Sequence, residues 1–564
     1  MRGHRTQAVL AAVIAAALAI AGCGGDATTP SGGSAALKAS DINPQPRDQV
    51  KDGGVVRWAV DEYPAQWNYN QLDGATQASF LVTGALLPSP FKANAKAELS
   101  IDENYVTSAK VTATSPRQVV TYELNEQAKW SDGTPITVKD YLAQWKALRT
   151  ADGPFLVGSS TGYEDVTSVV QGASPYEVIV TFGKPFSEWQ SLFSPLFPAS
   201  LNSTPEAFNK SWLNKIPVTA GPFKLEKLDQ TAKQITIVRD PAWWGTPAKL
   251  DQIVFRALDV AATVGSFANG EVDVADVGPD PSGYKRALGV SGGAVREAGG
   301  PDFRHFTLNG TSPNLSDVRV RQAVTVGIDR ATIAKADLTG LNWPAVTMDN
   351  HFFVNTQAGY QDNTGDLGKV NPEMAAKLLD SAGWKLDGTY RKQDGKTLSL
   401  RFVIPSGVTI SKQEGELVQG MLKEVGIKVE LETVPSDAFF DDYVIPGNYD
   451  ITPFSWIGTP FPVSSAISIY EKPVKDAKGE LQVQQNFARV GSAEIDRLLR
   501  EAATTLDQKE SFALINEADA LIWQQGHSLT LYQRPQITAV KATLANVGSY
   551  GFQTIPYTDI GFQK

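Results

Sequence analysis

The sequence predicts an α/β protein in which sheets of mixed direction are covered by helices. Strand-like and helical patterns alternate through the second half, as in the succession 396–404, 411–425 and 427–432. A helix between two such strands returns the chain so that they can lie parallel. In the first half, an alternating run at 119–124 leads through Ser-Asp-Gly-Thr-Pro into a capped helix. A length of 564 residues, 42% of them hydrophobic, exceeds one domain, for which roughly 100–200 residues suffice.

Residues 54–60 form a β-prone run read as the first strand, and 78–87 is apolar and helical. After the strand at 119–124, Thr137 is placed to cap a helix with Asp140 at the third position. Tyr141, Leu142, Trp145 and Leu148 then share one face. Residues 176–182 read as a strand, and 186–201, aromatic-rich and punctuated by prolines, as a layer of helix and loop. The runs 223–228 and 234–239 read as paired strands; 249–256 feeds a helix at 261–268, and 272–274 opens the next strand. A second unit starts near Phe303, with a strand at 306–309 and one amphipathic helix over 318–333 capped by Asp317. A helix at 372–381 ends at Ala382-Gly383-Trp384, and long helices occupy 494–505 and 508–524. Residues 528–533 return as a strand to an earlier sheet. No repeat of fixed period is present.

The first residues carry a different message. Arg2, His4 and Arg5 precede an apolar run from Ala8 to Ile20, then Ala21, Gly22 and Cys23, which is the pattern of a secretory signal. The run is shorter than the roughly 20 apolar residues of a membrane-spanning helix. Ile20-Ala21-Gly22-Cys23 resembles a bacterial lipobox, and the chain contains a single cysteine. The resemblance implies a diacylglycerol on the Cys23 sulfur and cleavage just before it. Residues 1–22 are then the signal peptide and 23–50 the lipidated end and a flexible tether. Within that tether, 24–40 offers almost no large apolar side chain to bury.

Several kinds of chemistry are missing. A formal charge of -10 argues against nucleic acid, whose phosphates need concentrated Lys and Arg. With four histidines in the chain, no HExxH, no paired His/Cys spacing and no phosphate loop occurs. The acidic stretch 271–276 lacks the spacing of a calcium loop and is read as strand-end carboxylates facing solvent. No catalytic set, metal or cofactor is expected.

Six motifs in order carry a resemblance. The first is Tyr122-Glu123-Leu124 with Trp130-Ser131-Asp132-Gly133-Thr134-Pro135-Ile136-Thr137, Asp140 and Trp145. The second is Ala220-Gly221-Pro222-Phe223 with Arg239-Asp240-Pro241-Ala242-Trp243-Trp244. The third is Asn269-Gly270-Glu271-Val272-Asp273. The fourth is Arg319-Val320-Arg321-Gln322-Ala323 with Ile328-Asp329-Arg330. The fifth is Ala375 to Leu379 with Ala382-Gly383-Trp384, and the sixth Asn486-Phe487-Ala488-Arg489 leading into Ile495-Asp496-Arg497-Leu498-Leu499. Together they resemble the extracytoplasmic solute-binding proteins of family 5, which serve peptide and nickel ABC importers; the likeness runs from about Gly53 to the C-terminus.

The resemblance implies a class II binding-protein fold: two α/β lobes with mixed sheets, joined by two crossovers, and an extra domain inserted in the first lobe. The expected parts are 51–90, 215–303 and 528–564 for the first lobe, 91–214 for the insertion and 304–527 for the second lobe. The crossovers are placed near Arg304 and His527. Asp132, Gly133, Gly221, Pro222 and Trp244 are expected to build turns and cores, and Arg321 to pair with Asp329.

The implied function is a lipid-anchored receptor on the outer face of the cell membrane, a monomer, which captures an oligopeptide between its lobes and delivers it to ABC permease subunits. Ligand-facing residues are expected at Tyr63, Trp67 and Asn68, at Trp343, at Phe454, Trp456, Gly458 and Thr459, and at Asn486 and Phe487. Peptide-binding relatives carry an acid after the Trp456 strand that pairs with the ligand ammonium, whereas Trp456-Ile457-Gly458-Thr459-Pro460-Phe461 has none. A buried ammonium without a carboxylate costs several kcal/mol. Either Asp61 or Glu62 supplies the charge, then, or the ligand has no free amino terminus there. A non-peptide solute, such as an oligosaccharide or modified metabolite, and a scaffold in envelope assembly are the alternative functions.

Overall fold

The computed structural model describes residues 37–150, 153–476 and 478–564; the signal peptide, Cys23 and the start of the tether lie outside them. The first lobe begins with β1 (Val55–Val60) and α1 (Gln77–Gly84). A short hairpin, β2 (Phe91–Ala93) and β3 (Leu99–Ile101), leads into a separate four-stranded antiparallel sheet of order β4-β5-β7-β6. Its strands are β4 (Val106–Ala113), β5 (Val119–Leu124), β6 (Val166–Gln171) and β7 (Glu177–Phe182), with α2 (Val138–Leu148) between β5 and β6. The capping box at Thr137 and Asp140 forms as its spacing predicts, and Asp132 closes the preceding turn by accepting from the Thr134 N–H (2.9 Å).

No α-helix forms between β7 and α3 (Pro205–Lys210). That stretch makes a 3-10 turn at Trp189–Ser191 and buries Phe193, Leu196 and Phe197 through loop, because its prolines interrupt the amide ladder a helix needs.

The chain returns through β8 (Phe223–Asp229), β9 (Gln234–Arg239), β10 (Gln252–Ala257), α4 (Val260–Ala268), β11 (Val274–Asp276) and α5 (Pro281–Leu288). Asp273, just before β11, is buried and binds the Arg57 guanidinium through both oxygens (2.9 and 2.7 Å). The solvent-facing reading of 271–276 fails at this residue.

The long strand β12 (Gly293–Leu308) enters the second lobe, followed by α6 (Val318–Gly327) and α7 (Arg330–Asp337). Where one helix is predicted over 318–333 there are two. Ile328 adopts an extended conformation, and the Asp329 side chain caps the second helix by accepting from the Thr332 N–H. Arg321 accordingly finds other partners, the carbonyls of Leu315, Ser316 and Gln525. Next come α8 (Pro372–Ser381), a small meander of β13 (Lys385–Asp387), β14 (Tyr390–Gln393) and β15 (Lys396–Thr397), then β16 (Ser399–Pro405), α9 (Thr409–Glu424), β17 (Lys428–Val434) and β18 (Ile451–Ile457). A single π-helical turn at Phe439–Val444 precedes β18. The lobe closes with α10 (Pro462–Tyr470), the two-residue strands β19 (Val474–Lys475) and β20 (Leu481–Gln482), α11 (Ala493–Thr504) and α12 (Gln508–Gln525), and β21 (Ser528–Lys541) leads back.

One ten-stranded sheet, of order β17-β16-β18-β12-β21-β11-β1-β10-β9-β8, runs through both lobes. It is continuous because β12 and β21, of 16 and 14 residues, are long enough to belong to both. Their ladder breaks register between Gly299 and Phe303, and this break marks the crossing. Glycine at 299 leaves room for the Gln533 side chain, since a Cβ there would lie 2.4 Å from its Nε2. The second crossing follows Gln533, several residues past His527, for Ser528–Gln533 still pairs with β12 in the second lobe.

Part of the stretch read as tether is built into the body. Leu37 packs on the second-lobe core, the Lys38 carbonyl accepts from the Gly299 N–H (2.8 Å), and Asp41 exchanges backbone bonds with Ser549. Val50 is fully buried and bridges to Gln563. The glycine- and threonine-rich composition before Leu37 does not extend to Ile42 and Val50, which supply the missing apolar anchors.

Candidate ligand-binding site

The strand directions locate a cleft. In the first lobe β1 runs parallel to β10 and β11, and β11 is antiparallel to β21, with Asp276 toward the crossing. In the second lobe β16 is parallel to β17 and β18, and β18 is antiparallel to β12, with Ile457 opposite Asp302 at the crossing. The carboxyl ends of both parallel sets therefore converge on the two crossing strands, the position where open α/β sheets place ligand loops.

The second-lobe wall is aromatic. Phe303 and His305 of β12 sit opposite Trp456 and Phe454 of β18. The Trp456 ring lies between those of His305 (5.9 Å, 11° between planes) and Phe487 (5.8 Å, 13°). Phe454 stands edge-on to His305 (4.3 Å) and meets Phe440 at 5.6 Å. Ile457, at the end of a central strand, is 76% exposed, and Phe440, in the π-helical turn before it, 44%, uncommon exposures for large apolar side chains. Burial, then the neighbouring Arg304 charge, pushes the His305 pKa well below its ordinary value. The imidazole is neutral, with Nε2 on Thr307 Oγ1 (3.0 Å) and a buried, unpartnered Nδ1.

β18 also has an open edge. It pairs with β12 along its whole length, but meets β16 at Ile451 alone. The Gly458 N–H points to the Pro301 carbonyl (2.7 Å), so by pleat alternation the N–H and C=O groups of Ser455 and Ile457 face away from β12. Pro453, which has no N–H, occupies the same side, as prolines at strand edges do. Gly458 allows the close approach, because a Cβ would stand 2.9 Å from that carbonyl.

The acids sit on the opposite rim. Asp61 follows β1 and is exposed. The Asp276 side chain keeps a face open to solvent, yet desolvation by the surrounding protein, with Asp302 and Asp61 nearby, raises its pKa. Asp302 itself pairs with Arg534 across the crossing strands.

The expected site residues divide. Phe454, Trp456, Gly458 and Phe487 come together on the second-lobe wall, with Phe454 and Phe487 buried in an aromatic cluster behind the half-buried Trp456. Thr459 turns inward to the α10 entry, its hydroxyl accepting from the Phe461 N–H (3.0 Å) and its carbonyl accepting from Gln357 Nε2 (3.1 Å). Asn486 is fully buried and bonded to the Glu471 and Val490 carbonyls and to His527, and Trp343 packs in the second-lobe core. Trp67 and Asn68 are fully buried inside the first lobe, the latter donating to the Phe208 carbonyl (2.9 Å). Asn486, Trp343, Trp67 and Asn68 fill cores rather than face a ligand. Tyr63 is half-buried beneath Lys233 (5.4 Å) and, with exposed Glu62, lines a separate first-lobe cavity of about 410 Å³. Cys23 lies outside the described residues. His305 and Phe440 were missed, although the alternation Phe303-Arg304-His305 already puts His305 on the face of Phe303.

The family model for bacterial extracellular solute-binding proteins, family 5, matches residues 106–477. The chain belongs to that family. This solute-binding protein is 40% identical to the oligopeptide-binding protein OppA of Mycobacterium tuberculosis over 529 residues, covering 93% of this chain and 87% of that one. It is 24% identical to OppA of Lactococcus lactis over 464 residues, 72% of each chain. Among solved structures it resembles a periplasmic EDTA-binding protein, EppA, with a TM-score of 0.81 and 28% identity over 94% of this chain and 99% of that one. It also resembles the fold of the oligopeptide-binding protein AppA of Bacillus subtilis, solved with a nonapeptide, with a TM-score of 0.69 and 18% identity over 91% and 100%. No helix among the described residues is long and apolar enough to cross a membrane.

Proposed function

We propose that this solute-binding protein captures oligopeptides in the cleft between its lobes and hands them to an ABC permease outside the cytoplasm, held to the membrane by a lipid on Cys23 and acting as a monomer. The open edge of β18 carries this reading. Ser455 and Ile457 present backbone groups without a ladder partner to an extended chain, which gives affinity independent of sequence, and Trp456 and Ile457, backed by the buried rings of Phe454 and Phe487, offer apolar surface to its side chains. The 40% identity to OppA supports it. Lacking an acid after Trp456, the second lobe leaves a ligand ammonium to the first-lobe rim, where Asp276 lies near Asp61 and Asp302 and Arg534 pairs with Asp302. That excess of acid favours a cationic end over a polycarboxylate of the EDTA type, the second reading that the likeness to EppA brings. Glu62, the other acid considered for the ammonium, lines the separate first-lobe cavity with Tyr63.

Native mass spectrometry of the protein purified from its own host tests the proposal. A ladder of adduct masses that fragment as ordinary residues is the expected result. A single non-peptide mass would overturn the peptide reading and identify the solute, and a protein that is empty and shows no thermal shift with a peptide library would turn the case toward an envelope scaffold.

A further inference from the structure

Helix α10 begins without a cap of its own. Phe461 holds the cap position and has no side-chain acceptor, and Pro462 supplies no N–H, so the N–H groups of Val463 and Ser464 are the first that need a partner. They find it 275 residues earlier in the chain. Glu188, in the loop after β7 of the four-stranded domain, accepts from Val463 through Oε1 (2.8 Å) and from Ser464 through Oε2 (2.7 Å). Glu188 is 9% exposed, and beside it the Ser187 N–H donates to the Ala503 carbonyl at the end of α11 (2.8 Å). A small cavity of about 90 Å³ separates the two surfaces here, and Glu188 is the single ionisable residue among those lining it. A negative charge on helical N–H groups gains from the hydrogen bonds and from the helix dipole, and burial of the carboxylate opposes both.

The place of the contact gives it meaning. α10 follows four residues after β18, whose Trp456 stands on the second-lobe wall of the cleft. We propose that Glu188 is the latch of the closed protein: reaching from the first-lobe side, it grips the helix that follows the ligand wall and positions the second lobe over the cleft. Without it, closure would bury two backbone N–H groups that no residue of the second lobe satisfies. This inference rests on the solute-capture reading only in that closure is what encloses a ligand.

The latch carries a pH signature. Burial raises the Glu188 carboxyl from 4.5 to about 6, against the opposing hydrogen bonds from Ser464 and Val463. A group whose pKa is higher in the closed form takes up a proton on closing. Closure is therefore favoured as pH falls through about 6, by at most about thirtyfold. The elements packed around the carboxylate, the α10 entry and the α11–α12 corner, place no other ionisable side chain on this cavity.

The test compares the full-length wild type with Glu188→Gln and Glu188→Ala, without added ligand, at about pH 5 and about pH 7.5. It reads amide exchange at Val463 and Ser464, corrected for intrinsic rates, together with small-angle scattering. Glu188→Ala is expected to lose protection at both amides by at least about tenfold and to shift the scattering toward an open molecule. Glu188→Gln, neutral and with a single acceptor oxygen, is expected to keep protection at one of the two amides and to lose the pH dependence. Loss of protection with an unchanged scattering curve would reduce Glu188 to a static cap and overturn the latch. So would a Glu188→Gln variant that keeps the wild-type pH profile, which decides the matter even if the alanine variant fails to fold. Because no ligand is used, these outcomes stand apart from whether the solute is a peptide.

Discussion

Asp337, the last residue of α7, is buried next to Glu414, and neither of its oxygens has a hydrogen-bond donor. Burial and the Glu414 carboxylate hold its pKa well above the ordinary carboxylate range. A carboxyl raised in the folded state contributes stability at low pH that is lost as pH rises through the folded value. Asp337→Asn should therefore melt later than wild type at mildly alkaline pH, by about 1–3 kcal/mol, with a smaller gain near pH 5; thermal melts across that range would show it, and a uniform loss would contradict it. Glu414 itself is held by Arg304 through two bonds (2.7 and 2.6 Å). Removing the cation strands a buried acid, so Arg304→Ala should destabilise by about 3–5 kcal/mol in denaturant titrations. Neither arrangement was legible in the sequence, since 110 residues separate Arg304 from Glu414 and no local pattern links them. By contrast, Thr137 and Asp140 lie within one turn and could be read directly.

Asp140 also shows where an element's role outgrows its sequence signature. Its Oδ2 accepts from the Thr137 N–H (2.9 Å), completing the capping box, while Oδ1 accepts from the Ala199 N–H (2.8 Å) in the loop packed on α2. Losing a cap alone costs about 1 kcal/mol. Asp140→Ala removes a second buried bond as well and should cost about 2 kcal/mol, with exchange protection lost at both Thr137 and Ala199. Most strands and helices were readable because their periodicity is local: α8, α12 and the pair β8 and β9 fall within a residue or two of the predicted runs. The run 318–333 was not, because continuous apolar spacing hid the cap at Asp329 that restarts the helix. The aromatic motifs were readable as a set but not by orientation. Trp456 and Phe487 face one another, whereas Trp67 and Trp343 turn into cores, a choice made by neighbours distant in sequence.

At the scale of the whole molecule, two lobes and a family could be inferred from ordered motifs, but the single sheet joining the lobes could not, because pairing between β12 and β21 brings together residues more than 200 positions apart. Nor could the docking of residues 37–50. That segment meets the body at Lys38 and Gly299, where the crossing strands break register. If the lobes swing like the arms of a lever, this point is the fulcrum, the part that travels least. A chain leaving the body from there is scarcely dragged by each opening, so a mooring line fixed upstream would do almost no work against the stroke, and the jaws would move as freely on a membrane as in solution.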